Sequence, residues 1–193
     1  MPRIVDSTAQ RREIRGAARR VFARRGVAGT GLAHVAEAAG MGRSSLYHYY
    51  PDRASLVRDL VRDLLAEEKA LFAAVAREPG RPLERIERLV ALLAGVLEEW
   101  AALGPLLLDL WSRNARRFRP FFRSLRGELA GMIRAGQSSG EIDGTLDPQL
   151  AAASLIGAVD GILLQRLVDP DAFADTDAVR DTLVRAARKQ LAP

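Results

Sequence analysis

The sequence predicts an all-α protein, and three observations carry that prediction. Apolar residues recur at i, i+3, i+4 and i+7 along most of the chain. Glycine and proline fall largely between those stretches rather than inside them. No strict apolar–polar alternation lasts more than a few residues. About nine helices fit the 193 residues. They divide into an N-terminal three-helix unit, 1–53, and a larger helical body, 54–193, with the fourth helix joining the two.

The first helix should open at Ser7, where Ser7 and Gln10 have capping-box spacing. Ile14, Ala17, Ala18, Val21 and Phe22 share one face, with Arg11, Arg12, Arg15 and Arg19 on the other. Gly26 is a natural stop. A short second helix spans 32–39, with Thr30 or Gly31 as its cap and Leu32, Val35, Ala36 and Ala39 inward. Gly40, Met41 and Gly42 make a tight turn into a third short helix over 43–49. Pro51 ends that helix, because the residue before a proline is pushed out of the helical region. Asp52 caps a long fourth helix marked by Leu56, Leu60, Leu64, Leu65, Leu71 and Val75, and Pro79-Gly80 closes it. Five further helices are expected: over 82–102, 105–114 and 120–138, after the Asp147-Pro148 cap, and over 176–191.

Two short helices joined by a glycine turn, behind a longer supporting helix, describe a helix-turn-helix. A duplex major groove about 12 Å wide admits one helix. Such a helix needs short or polar residues at its leading end and an apolar anchor behind. Residues 43–50, RSSLYHYY, meet this description, with Leu46 as anchor and Tyr50 in the core. Charge agrees: residues 1–62 hold 12 arginines against 5 acids, whereas 63–193 hold 17 basic residues against 19 acids. The basic excess therefore sits in the first third of the chain, where an anionic partner would be met.

Other classes find less support. There is no cysteine, so thiolate chemistry, disulfides and cysteine zinc sites are excluded. His34 and His48 do not form a metal pair, and no spaced carboxylate pair marks a catalytic face, so a helical enzyme is disfavoured and no cofactor is expected. A nonspecific basic protein acting on nucleic acid or a membrane surface would show scattered basic faces without an ordered reading helix, against residues 40–53. The N-terminus lacks the apolar segment of a signal peptide. The most apolar run, 150–168, carries Asp160, Gln165 and Arg166 and is expected to be too polar for a membrane span. A cytoplasmic location is expected.

The stretch from Thr30 to Leu56, TGLAHVAEAAGMGRSSLYHYYPDRASL, resembles the DNA-binding region of the TetR family of bacterial regulators. The likeness rests on a capping threonine, an Ala-x-x-Ala-Gly second helix containing Val35, and a Leu-Tyr-x-aromatic reading helix ending in Tyr49-Tyr50. A turn and a basic residue, Arg53, follow. The resemblance covers roughly residues 8–60. It implies a homodimeric regulator that binds operator DNA, most simply a repressor released by a small apolar or amphipathic effector. A regulator without an effector, or an activator, remains the alternative. Carried over by position, Thr30 would cap and touch phosphate. Arg43, Ser44 and His48 would meet bases, while Ser45, Tyr47 and Tyr49 would hold phosphate. Arg53 would clamp the backbone. Gly42 departs from the serine often found there. The two heads would sit about 34–36 Å apart, and ligand-driven motion of the body would spoil that spacing.

The resemblance also implies an effector pocket in the body. Trp100, Leu107, Trp111, Asn114, Phe118 and Phe122 are its candidate lining, with Asn114 orienting a polar group; ordinary core is the competing reading of the aromatic residues. Gly157 and Gly161 lie one helical turn apart on the penultimate helix, where small residues let two helices approach closely. The helix resembles the family's dimerisation helix, which implies an interface of Leu155, Gly157, Ala158, Gly161 and Ile162 with Leu183 of the last helix. An internal core contact is the alternative.

Overall fold

The computed structural model describes residues 7–26, 29–95, 97, 101, 103–105, 108, 112 and 115–193. All its regular elements among these residues are helical, as the periodicity predicts. They are α1 (Ser7–Arg25), α2 (Leu32–Ala38), α3 (Arg43–Tyr49), α4 (Arg53–Arg77) and α5 (Pro82–Gly95), followed by α6 (Arg119–Ser138), α7 (Pro148–Val168) and α8 (Thr176–Leu191). Short 3₁₀ turns, Ala115–Phe118 and Asp171–Phe173, precede α6 and α8. Helical backbone is also present at 97, 101, 103–105, 108 and 112.

Local chemistry fixes the ends. The Asp52 carboxylate accepts the Ser55 N–H at 2.6 Å at the start of α4. That bond holds its carboxyl below the usual carboxylate range. Asp147 accepts the N–H groups of Gln149 and Leu150, both at 2.8 Å, with Pro148 opening α7. Asp175 accepts the Ala178 N–H at 2.9 Å before α8.

Two cores result. The first gathers Ile14, Ala18 and Phe22 of α1, Leu32, Val35 and Ala36 of α2, Leu46 and Tyr50, and Leu56, Val57, Leu60 and Leu64 of α4. The second joins Phe72 and Val75 of α4 to the buried faces of α5, α6, α7 and α8. The changeover lies within α4, between Leu64 and Phe72. The first turns of α4 supply a wall of the N-terminal core, so the two units share this helix. In the body, α5 packs most extensively on α8, and α6 lies against α4, α5 and α7.

Helix α7 is unusual. By length and composition alone it could cross a membrane, contrary to the expectation of a run too polar to do so, yet only 28% of its most apolar window is buried. Ala151, Ala152, Leu155 and Ile156 face the body core. Leu150, Gly157, Ala158, Leu164 and Val168 are exposed. An apolar strip thus runs along the helix with no cover from the other described residues.

Candidate nucleic-acid interface and effector cavity

The turn that presents α3 is built by the backbone. Gly40 has φ +64°, a conformation in which glycine carries no Cβ penalty. Its N–H donates to the Glu37 carbonyl at 3.1 Å, and the Met41 N–H donates to the Ala36 carbonyl at 3.0 Å. These are the two bonds of a glycine-terminated helix end. Gly42 is the N-cap of α3 with no side-chain bond, and Tyr50 leaves the helix in extended geometry ahead of Pro51. Over these seven residues only Leu46 is buried. Arg43, Ser44, Ser45, Tyr47 and His48 are exposed, and Tyr49 is half-buried. Tyr47 keeps 52% of its surface accessible although it is a large aromatic residue. A helix held by one anchor with all its other early side chains in solvent is shaped to be inserted into something.

Thr30 is a correction. It is 1% exposed, and its hydroxyl donates to the Gly26 carbonyl at 2.8 Å. The N-cap of α2 is Gly31, whose N–H donates to Nδ1 of His34 at 3.2 Å. Thr30 therefore ties the α1–α2 connection together instead of capping α2, and burial keeps its side chain from phosphate. Arg53 opens α4 half-buried beside the reading helix.

On the arginine face of α1, Arg11, Arg15 and Arg19 are bonded to α4. Arg11 pairs with Asp59 at 3.8 Å, Arg15 with Asp63, and Arg19 with Glu67 at 2.8 Å. Both partners advance four residues per rung, so one stripe of each helix faces the other. The Tyr50 hydroxyl joins the ladder by donating to Asp59 at 3.2 Å, and the Arg11 guanidinium lies 4.9 Å from the Tyr50 ring centre. Exposed pairs contribute little stability each, about 0–1 kcal/mol. Their collective effect is orientational, because α1, the residue that ends α3, and α4 are held as one piece.

Where α4 leaves this head, it borders a cavity of about 210 Å³. Leu65 and Glu68 of α4, Gly104, Leu108, Phe118, Phe121 and Phe122, and Asp160, Gly161, Leu163, Leu164 and Leu167 of α7 line it. The expected lining residues Phe118 and Phe122 are present; Trp100, Leu107, Trp111 and Asn114 lie outside the described residues. Phe121 of the same aromatic cluster is also in the lining, and Glu68 and Asp160 are lining residues that the sequence does not single out. Phe121 stacks edge-on against Phe122 at 5.3 Å. A Cβ on Gly104 would overlap the Leu167 side chain, so glycine lets that segment seat against α7. Burial pushes the Glu68 carboxyl up to about 8, with the charge of Asp160 adding to the effect, and burial raises Asp160 to about 6. Asp160 is exposed to solvent at the cavity's edge, whereas Glu68 is half-buried.

The expected interface residues separate in the structure. Gly157 and Ala158 are exposed, and Gly161 is half-buried on the cavity side. Leu155 and Leu183 are corrected: they are 5% and 8% exposed and belong to the body core. Ile162 is half-buried and leans on the same core. A Cβ added at Gly157 or Gly161 would meet nothing within 4 Å of its own chain.

Comparison with known proteins decides the kinship. Residues 14–60 match the model of bacterial regulatory proteins of the tetR family, and residues 112–192 match the C-terminal domain of BetI-type transcriptional repressors. The HTH-type transcriptional regulator TtgR of Pseudomonas putida is 30% identical over 183 residues, which span 83% of this chain and 81% of TtgR. The chain belongs to the TetR family. Like other TetR-family members it is a DNA-binding transcriptional regulator and not an enzyme. The probable HTH-type regulator ArpR, also of Pseudomonas putida, is 31% identical over the same length. The TetR/AcrR-family regulator of Thermobifida fusca YX-ER1 shares the fold, with a TM-score of 0.76 at 24% identity over 93% of this chain and 97% of that one. FadR of Bacillus subtilis, solved with stearoyl-CoA, superposes with a TM-score of 0.69 at 18% identity over 93% and 98%. TetR-family regulators bind operator DNA and typically act as dimers with small-molecule effectors.

Proposed function

We propose that this chain is a repressor that holds its operator as a homodimer and releases it when a small effector fills the cavity beside α4. The observation that supports this most is that one helix serves both sites. Its first turns are part of the reading head, and Leu65 and Glu68 on the same helix wall the cavity. The ladder to α1 makes the head follow any tilt of α4. Relatives named as repressors, AcnR of Corynebacterium glutamicum among them, point the same way.

In this reading Arg43, Ser44 and His48 meet base edges, and Ser45, Tyr47, Tyr49 and Arg53 meet phosphate. The uncovered strip of α7, centred on Gly157, pairs with its copy across the twofold axis. Gly161 and Leu164 belong to the half of α7 that also walls the cavity, so effector occupancy and helix pairing act on one element. The protein works in the cytoplasm, where its operator is.

An Arg43→Ala variant tests the base-reading role. A lost bidentate guanidinium contact costs about 1–3 kcal/mol, or roughly tenfold to a hundredfold in affinity. Gel-shift titration on a duplex selected by the wild-type chain should show that loss, with the dimer mass unchanged by light scattering. Unchanged affinity would remove Arg43 from the interface.

A further inference from the structure

The cavity beside α4 has a chemistry of its own. Three phenylalanines and several leucines form its wall, and among the described residues only two groups on that wall ionise, Glu68 from α4 and Asp160 from α7. The other three acids on the first turns of α4 are all engaged: Asp59, Asp63 and Glu67 each pair with an arginine of α1. Glu68 and Asp160 have no hydrogen bond or ion pair among the described residues. Two carboxylates placed by separate helices against an apolar wall, with no cation beside them among the described residues, are an unfavourable arrangement in the empty protein.

We propose that this cavity receives a compact organic cation with an apolar body, its positive charge held by Glu68 and Asp160 and its body against Phe118, Phe121 and Phe122. The proposal rests on the reading of this cavity as the effector site and names the effector's class. Aromatic faces attract cations as well as apolar groups, so the wall and the acids favour the same ligand. An anion would meet like charge from both carboxylates. The volume suits a small ligand, since an apolar cavity of about 150 Å³ takes up benzene.

The empty site keeps Glu68 largely neutral by binding a proton, and a cation displaces that proton. Glu68, pushed up to about 8, is largely protonated at neutral pH, whereas Asp160, at about 6, is largely ionised. Cation affinity therefore rises as pH rises from 6 to 8. Among the described residues, Glu68 and Asp160 are the titratable groups that line the cavity; Gly104, Leu108 and the phenylalanines bring none. Glu68 also follows directly on Glu67, the last rung of the ladder, so a charge drawn to it acts where the reading head is joined to α4.

Benzyltrimethylammonium, its uncharged isostere neopentylbenzene and the anion 3-phenylpropionate form a test set of similar size. Calorimetric titration of the full-length dimer should show binding of the cation, tighter at pH 8 than at pH 6, with much weaker binding of the other two. Glu68→Gln and Asp160→Asn should each weaken cation binding at least about tenfold while the fold, followed by circular dichroism, is kept. Removing an unpaired carboxylate should leave melting unchanged or raised, so loss of binding is separable from loss of fold. Failure of the cation to bind, equal or tighter binding of either isostere, or unaltered affinity in both variants would overturn the proposal. A gel shift with the cation present tests the wider reading separately: a cation that binds without loosening the operator supports the site and contradicts release by effector.

Discussion

A Gly157→Glu variant is expected to become a monomer and to lose operator affinity by roughly a hundredfold or more. Position 157 is exposed, and a Cβ there meets nothing within 4 Å among the described residues. Glutamate also has a better helix propensity than glycine, by a few tenths of a kcal/mol. The protomer should therefore keep its structure. Across a twofold interface the same change brings two carboxylates together against an apolar strip, where like charges are poorly solvated. Operator affinity falls because each head then binds its half-site alone, and linked sites gain about 10²–10⁴ from effective concentration. Light scattering with circular dichroism checks the first half, gel shift the second. A helical variant that still weighs two chains would move the interface off α7.

Leu46→Ala should cost about 2–5 kcal/mol, the range for emptying a fully buried leucine site. Leu46 is 0% exposed and is the sole buried residue of α3. Its neighbours in the first core include residues of α1, α2 and α4. Against a typical domain stability of about 5–15 kcal/mol, that loss unseats the reading helix before it threatens the body, whose core is separate. Urea unfolding followed by circular dichroism should show an early transition that removes part of the helicity and leaves the rest. One unsplit transition displaced by less than about 1 kcal/mol would contradict an anchoring role, because burial of this side chain would then matter little.

How far the sequence disclosed this molecule depended on the kind of signal. Local chemistry was legible. Pro51 and Asp52 set the α3–α4 junction, Asp147-Pro148 set the start of α7, and the pattern around Leu46 set which side of α3 faces out. Sidedness on α7 was not legible, because that helix is apolar or small on nearly every face and its period names no inward stripe. Nothing in that pattern separates Leu155, which lies in the core, from the residues that face outward, and the same holds for Leu183 of the last helix. Thr30 was misassigned because a threonine before a helix can bond forward as a cap or back to the preceding carbonyl, and only the α1–α2 geometry decides. The α1–α4 ladder left a trace, arginines at 11, 15 and 19 and acids at 59, 63 and 67, but a matching four-residue step does not say that two helices face each other. Glu68 and Asp160 are far apart in the chain, and neither sits in a motif. Their shared cavity exists only after folding.

In the proposed function, release follows from the connectivity. The head is rigid through its own core and the ladder, the body is rigid through the second core, and α4 crosses both. A ligand bearing on Leu65, Glu68 and α7 can change the angle between the two units without unpacking either. Half-site spacing of about 34–36 Å leaves little tolerance for such a tilt.

The central claim is that two copies of α3 are delivered together to one duplex. Selection of bound duplexes from a randomised pool, with the stoichiometry of the winning complex measured by light scattering, tests it most directly. The account predicts an inverted repeat whose half-sites recur on one face of the duplex at multiples of about 10–10.5 base pairs, bound by pairs of chains. Enrichment of no repeat, or a single chain bound to a single site at full affinity, would contradict it.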